Sequence, residues 1–129
     1  MILENGVLKH TRGDSGAIEV TSIELEDGTP YTMGEGDKLV FTVRQKPIAS
    51  SQVLVQVESN TTTIQFAPED TRNVPAGKYS ADIELRTADG SIFTIWPDKS
   101  STESKVQPST ANFENFWIWP EVTAHADNG

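Results

Sequence analysis

Lys78-Tyr79-Ser80-Ala81-Asp82-Ile83-Glu84-Leu85-Arg86 decides the fold, because its side chains alternate without a break. Tyr79, Ala81, Ile83 and Leu85 share one parity, and Lys78, Ser80, Asp82, Glu84 and Arg86 share the other. Successive side chains of a β-strand point to opposite faces. The segment therefore predicts a strand with one buried and one wet face, as antiparallel sheets have. No comparable 3.6-residue period is present elsewhere in the chain.

The same alternation recurs on both sides of this segment. Leu39, Phe41 and Val43 oppose Lys38, Thr42 and Arg44; Val53, Val55 and Val57 oppose Gln52, Gln56 and Glu58. Thr62, Ile64 and Phe66 alternate with Thr61, Thr63 and Gln65. In Ala17–Leu25 the apolar parity changes between Val20 and Ile23, which predicts a bulge near Thr21-Ser22 that resets the pleat. Ser91–Trp96 and Phe116–Val122 are apolar at both parities, which predicts strands that are central or covered on their outer face. Asp27-Gly28 and Asp89-Gly90 are hairpin dipeptides, since glycine accepts positive φ at little cost. Gly34-Glu35-Gly36-Asp37 and Pro75-Ala76-Gly77 precede two further strands. About seven short strands with regular turns predict an all-β, immunoglobulin-like antiparallel β-sandwich, with a small barrel as the alternative.

Residues 15–123 form the expected sandwich domain, interrupted by a polar loop at 97–112 rich in Ser, Thr, Lys and Pro. Residues 1–14 read as an N-terminal arm or edge strand, and 124–129 as a tail. The chain has 129 residues, no cysteine and a net charge of −9. Such a charge repels nucleic acid and anionic lipid at long range, so neither is an expected partner. The absence of cysteine excludes disulfides, thiolate nucleophiles and thiolate zinc sites. No apolar run approaches the ~20 residues of a membrane helix. The start, Met1-Ile2-Leu3-Glu4-Asn5-Gly6, lacks the basic and apolar regions of a signal peptide, so the expected location is the cytoplasm.

The residue types that carry chemistry are sparse. His10 and His125 have no Ser or Asp arrangement resembling a triad and read as solvated. Asp82 and Glu84 share a strand face, at a spacing of about 7 Å that a glycosidase pair can use. Lys78, Ser80 and Arg86 share that face, and no pocket is implied, so the pair reads as solvated sheet surface. Acidic turns at Glu26-Asp27, Glu35 with Asp37, and Glu69-Asp70 lack the spacing of a calcium loop. Arg12-Gly13-Asp14 reads as a turn into a strand, and the glycines form no phosphate loop. No catalytic residue, metal or cofactor is therefore expected, and the chain reads as a non-enzyme.

Tryptophan carries the remaining signal. Trp117 and Trp119 share a face opposite Phe116 and Ile118, and Trp96 closes the preceding strand. One face lines the core; the other is an aromatic patch unless loop 97–112 and the N-terminal arm cover it. Trp96, Trp117, Trp119 and Phe116 are thus the interface candidates, for a protein partner or as a stacking platform for sugar.

An ordered set of motifs runs through Ile64-Gln65-Phe66-Ala67-Pro68-Glu69-Asp70-Thr71 and Val74-Pro75-Ala76-Gly77-Lys78-Tyr79. It continues through Asp82-Ile83, Asp89-Gly90, Thr94-Ile95 and Glu121-Val122-Thr123. Upstream, Gly13-Asp14, Asp27-Gly28-Thr29-Pro30-Tyr31 and Gly36-Asp37 through Val43 fit the same scheme. Over roughly residues 12–123 the chain resembles the immunoglobulin-like domains of phage and prophage tail or baseplate proteins of Gram-positive bacteria, such as the N-terminal domain of baseplate upper proteins. The resemblance implies a virion structural domain that attaches to other tail or baseplate proteins or to copies of itself. Such a protein is made in the bacterial cytoplasm and joins the virion tail on assembly. A carbohydrate-binding sandwich using exposed tryptophans is the alternative. The motif residues also have physical roles. Asp70 belongs to one helical turn begun by Pro68. Gly77 permits a tight approach to the next strand. Tyr79 is placed to bury its ring and bond upstream backbone, as in a tyrosine corner.

Overall fold

A computed structural model describes residues 1–48, 50–97 and 114–122. The chain runs β1 (Ile2–Glu4), β2 (Val7–Thr11), β3 (Gly16–Glu19), β4 (Ile23–Glu24), β5 (Pro30–Tyr31) and β6 (Lys38–Arg44). It continues as β7 (Val53–Ser59), β8 (Thr63–Phe66), α1 (Pro68–Thr71), β9 (Gly77–Arg86), β10 (Ile92–Trp96) and β11 (Phe116–Trp119). The fold is all-β. The large sheet has the order β1-β2-β11-β9-β6-β7, with β10 also paired to β9. Two small ladders, β3-β8 and β4-β5, complete it.

On β9 Tyr79, Ala81, Ile83 and Leu85 are all buried as the sequence predicts, but the expected wet face is only partly wet: Ser80 is buried too, and Asp82, Glu84 and Arg86 are half-buried. β6 lies between β7 and β9, and Leu39, Phe41 and Val43 point inward. Being central, β6 also buries Val40 and Thr42 on its other face, where a wet surface was expected. The second layer closes over β6 through β8. Phe41 meets Phe66 edge-to-face, with centroids 5.2 Å apart, and meets Phe116 in the same way at 5.4 Å. These contacts tie the small β3-β8 ladder to the large sheet and to the last strand.

Several local expectations change. Of the arm or edge strand expected at residues 1–14, an edge strand forms: Asn5 and Gly6, at φ 52° and 78°, turn β1 back onto β2. β1 is that edge, while β2 sits inside the sheet between β1 and β11. The β2–β11 pairing is parallel, whereas every other ladder is antiparallel. The parity change in residues 17–25 is not a bulge. β3 pairs with β8, the chain breaks after Val20, and β4 pairs with β5, so two short strands use opposite parities. Pro120 ends β11, so that strand stops short of Val122, which is fully exposed. β10 pairs only with β9 among the described residues and leaves Ile92 58% exposed, so it is not a central strand.

β10 and β11 run along one and the same edge of β9. Trp96 lies opposite Ile83, and Phe116 lies opposite Tyr79. Asn115 fills the gap between them. Its Oδ1 accepts from the Ala81 N–H at 2.7 Å, and its Nδ2 donates to the Ala81 carbonyl at 2.9 Å. A buried side-chain amide thus takes the place of a strand residue, and Ala81 keeps both backbone bonds. Residues 98–112 of the expected polar loop, and the 124–129 tail, lie outside the described residues.

The three motif residues have different weights. The Asp70 carboxylate reaches back to the Ala67 N–H at 2.7 Å, one half of a capping box for α1. The Tyr79 hydroxyl donates to the Pro75 carbonyl at 2.5 Å, a tyrosine corner. Gly77 is not required for a tight approach: a Cβ there would meet the Tyr79 hydroxyl oxygen at 3.4 Å, an ordinary contact. Glycine matters instead at Gly36, with φ +88°, where a Cβ would lie 2.7 Å from Ala88 Cβ. That closeness lets Asp37 accept from the Ala88 N–H at 2.9 Å and from the Tyr31 hydroxyl at 2.6 Å.

Replacing Asn115 with Ala strands the Ala81 N–H and carbonyl in the interior. The expected loss is about 2–4 kcal/mol, since each buried orphan costs about 1–3 kcal/mol. Tyr79→Phe removes one hydrogen bond and is expected to cost about 1 kcal/mol. Urea unfolding midpoints of the two variants check the order: Asn115→Ala must fall below Tyr79→Phe.

Candidate functional site

Because Phe116 and Ile118 point into the core, strand geometry turns Trp117 and Trp119 outward on β11. Phe116 is 0% exposed and leaves the set of interface candidates; it is a core residue. Trp96 is half-buried and packs against the core, so it is not part of the outer face either. Trp117 is half-buried and Trp119 is 50% exposed.

The neighbours of Trp117 come from register. Lys9 on β2 lies opposite it on one side, and Lys78 on β9 lies opposite it on the other. Both ammonium groups sit over the indole, at 5.0 Å for Lys9 and 4.4 Å for Lys78. Lys9 also lies 6.0 Å from the Trp119 ring. Lysine over an aromatic face is attracted by the ring quadrupole, worth roughly 0.5–1 kcal/mol at an exposed site. The Trp117 Nε1–H donates to the Glu114 carbonyl at 3.1 Å. Lys9 pairs with Glu4 at 2.7 Å. The outer face thus carries a row, Lys78–Trp117–Lys9–Trp119, in which cation and indole alternate. Lys9, Lys78 and Glu4 were missed by the sequence reading. Their parity was legible, but the strands that flank β11 were not.

The other candidate chemistries resolve locally. Glu84 pairs with Arg86 at 3.0 Å; Glu84 and Asp82 are half-buried on the face that also buries Val40, Thr42 and Ser80, so the expected solvated surface is only partly so. The Thr87–Asp89–Gly90–Ser91 turn uses Asp89 for its own hydrogen bonds. Asp37 lies below the usual carboxylate range, held there by the Tyr31 hydroxyl and by the Gly34 and Ala88 N–H groups. Its contribution to stability is full above that range and is lost as pH falls through the depressed value. Among the described residues no group of three His, Asp or Glu is placed to hold a metal. A cleft of about 520 Å³, open and polar, is lined by Lys38, Glu58, Asn60, Thr61 and Gln65. No helix among the described residues is long and apolar enough to cross a membrane. Arg12-Gly13-Asp14 is a turn into β3, as the sequence predicts; the Gly13 N–H donates to Thr71 Oγ1 at 2.9 Å.

His10 is not solvated. It is 2% exposed beside Phe66, ring centroids 5.9 Å apart. Its Nε2 must carry the proton, because it faces the Asp14 carbonyl at 3.0 Å. Nδ1 is buried with no hydrogen-bond partner. Its parity with Leu8 was the signal for burial. His125 lies outside the described residues. Comparison with family models, curated proteins and solved structures found no match.

Burial lowers the pKa of His10, outweighing the opposing pull of the Asp14 carbonyl and carboxylate. The unfolded chain therefore binds this proton first, and stability falls as pH drops below about 6.5. His10→Gln keeps a donor for the Asp14 carbonyl but cannot titrate. The fall in Tm between pH 7.5 and pH 5.5 is expected to be smaller in this variant than in the parent, whatever its absolute Tm.

Proposed function

We propose that this chain is a non-catalytic attachment domain of a phage or prophage tail or baseplate, with an immunoglobulin-like sandwich as its scaffold. The observation that carries the attachment reading is the outer face of β2, β11 and β9, with Trp119 half exposed beside the Lys–Trp–Lys stack. Trp117 and Trp119 supply the aromatic surface that protein interfaces favour, and the apolar stems of Lys9 and Lys78 extend it. Support for the immunoglobulin-like class comes from three features. β2 runs parallel to β11 in the order β2-β11-β9-β6-β7, β3-β8 faces that sheet, and Tyr79 forms its corner at the start of β9. The tail assignment rests on the motif resemblance across residues 12–123. The protein is then made in the bacterial cytoplasm and ends in the virion tail.

A sugar platform is less favoured. Stacking needs open indole faces, and lysine ammoniums lie over the Trp117 ring from both flanking strands.

Co-expression with the tail proteins encoded beside its gene tests the assignment. The expected outcome is a defined complex by size exclusion with light scattering. Trp119→Ser should weaken it roughly ten- to thirty-fold, the loss typical of an aromatic hot spot. No complex with any tail protein, together with saturable tryptophan quenching by a polysaccharide, would replace this reading with the carbohydrate one.

A further inference from the structure

The two ends of the outer row are chemically incomplete. Lys9, in the middle, is satisfied by Glu4 and by both indoles. Lys78 makes no ion pair among the described residues, and its ammonium rests on the Trp117 face alone. Trp119, at the other end, leaves half of its surface to water. A cation without a carboxylate and an indole without a cover thus lie on one sheet face of a chain whose net charge is −9.

The physics of the row selects its occupant. Two chains of this net charge repel at long range, which disfavours a second copy as the occupant. A polyanion is repelled for the same reason. The edge of β1 spans three residues, too few for strand addition to supply much affinity. A protein segment with a single carboxylate and a bulky apolar side chain satisfies both ends and carries little net charge. Trp117 and Trp119 are about 7 Å apart along the strand, and Lys78 is about 5 Å to the side, so the ends are roughly 8–9 Å apart. In an extended chain residues two positions apart share a face and span about 7 Å, and the reach of their side chains covers the remainder.

Resting on the attachment reading above, we infer that the outer face of β11 binds an extended segment of a partner protein through an acid–apolar pair. The Asp or Glu carboxylate of the segment takes Lys78. A bulky apolar residue two positions away covers Trp119.

Two acetylated and amidated pentapeptides, Thr-Glu-Thr-Leu-Thr and Thr-Lys-Thr-Leu-Thr, probe this chemistry, read by the indole N–H resonances of the intact chain. The glutamate peptide should shift the Trp119 resonance saturably, with a dissociation constant of order 1 mM, as befits two contacts. Lys78→Glu should weaken it by about five-fold and reverse the preference toward the lysine peptide, while Lys38→Glu, at the other end of the sheet opposite Arg86, should leave it unchanged. No saturable shift by roughly 10 mM glutamate peptide overturns the inference. So does an equal response to both peptides, or a Lys78→Glu variant that binds as the parent does. A tail complex that survives Lys78→Glu but is lost in Trp119→Ser would keep the attachment reading and remove this one.

Discussion

The buried ring of Phe41 holds together parts of the chain that are far apart in sequence. It touches Phe66 from the small ladder and Phe116 from the last strand, both edge-to-face. Emptying such a site costs about 3–5 kcal/mol, a large share of what a domain of this size has to spare. The contact also aims the surface. Once Phe116 is drawn onto Phe41, the pleat leaves Trp117 and Trp119 no direction but outward. The outer row is therefore a consequence of core packing, and the register of β11 against β2 and β9 supplies its lysines.

How much of this was legible depends on what kind of signal each element carries. β6 and β9 announce themselves by period two, and α1 by Pro68 followed by acids, because those signals are local. His10 was also legible in principle, since it shares the parity of buried Leu8, but a polar side chain among few neighbours was read as wet. The Asn5-Gly6 hairpin is a dipeptide signal of the same kind as Asp27-Gly28. The orientation of β11 was not legible. Both of its faces are aromatic or aliphatic, so pattern cannot choose between Phe116 and Trp117. The parallel partner β2 lies more than a hundred residues away and leaves no mark on β11 itself. Asn115 had no local signature either: its role exists only because β10 and β11 leave a gap opposite Ala81.

The electrostatics of the chain have two scales. At long range the excess of carboxylates keeps molecules of this protein apart and holds polyanions off. At short range the Lys78–Trp117–Lys9–Trp119 row presents cations embedded in aromatic surface, where the ring faces fix the long lysine stems. Such pre-arranged side chains lose less freedom when a partner arrives than free lysines would. The exterior as a whole is thus repulsive to like charge, while this one row is locally cationic and aromatic.

The way β10 and β11 share one edge of β9 bears on how such a domain can diversify. Trp96 is anchored at Ile83 and Asn115 at Ala81, so the chain leaves the sheet and returns to it within two positions of one strand. Both anchor points are contacts with β9 itself. For an unstructured connection, each doubling of length costs only about 0.6 kcal/mol in closure entropy. Natural variation can therefore lengthen, shorten or rewrite that segment while the tryptophan row beside its return point stays in register.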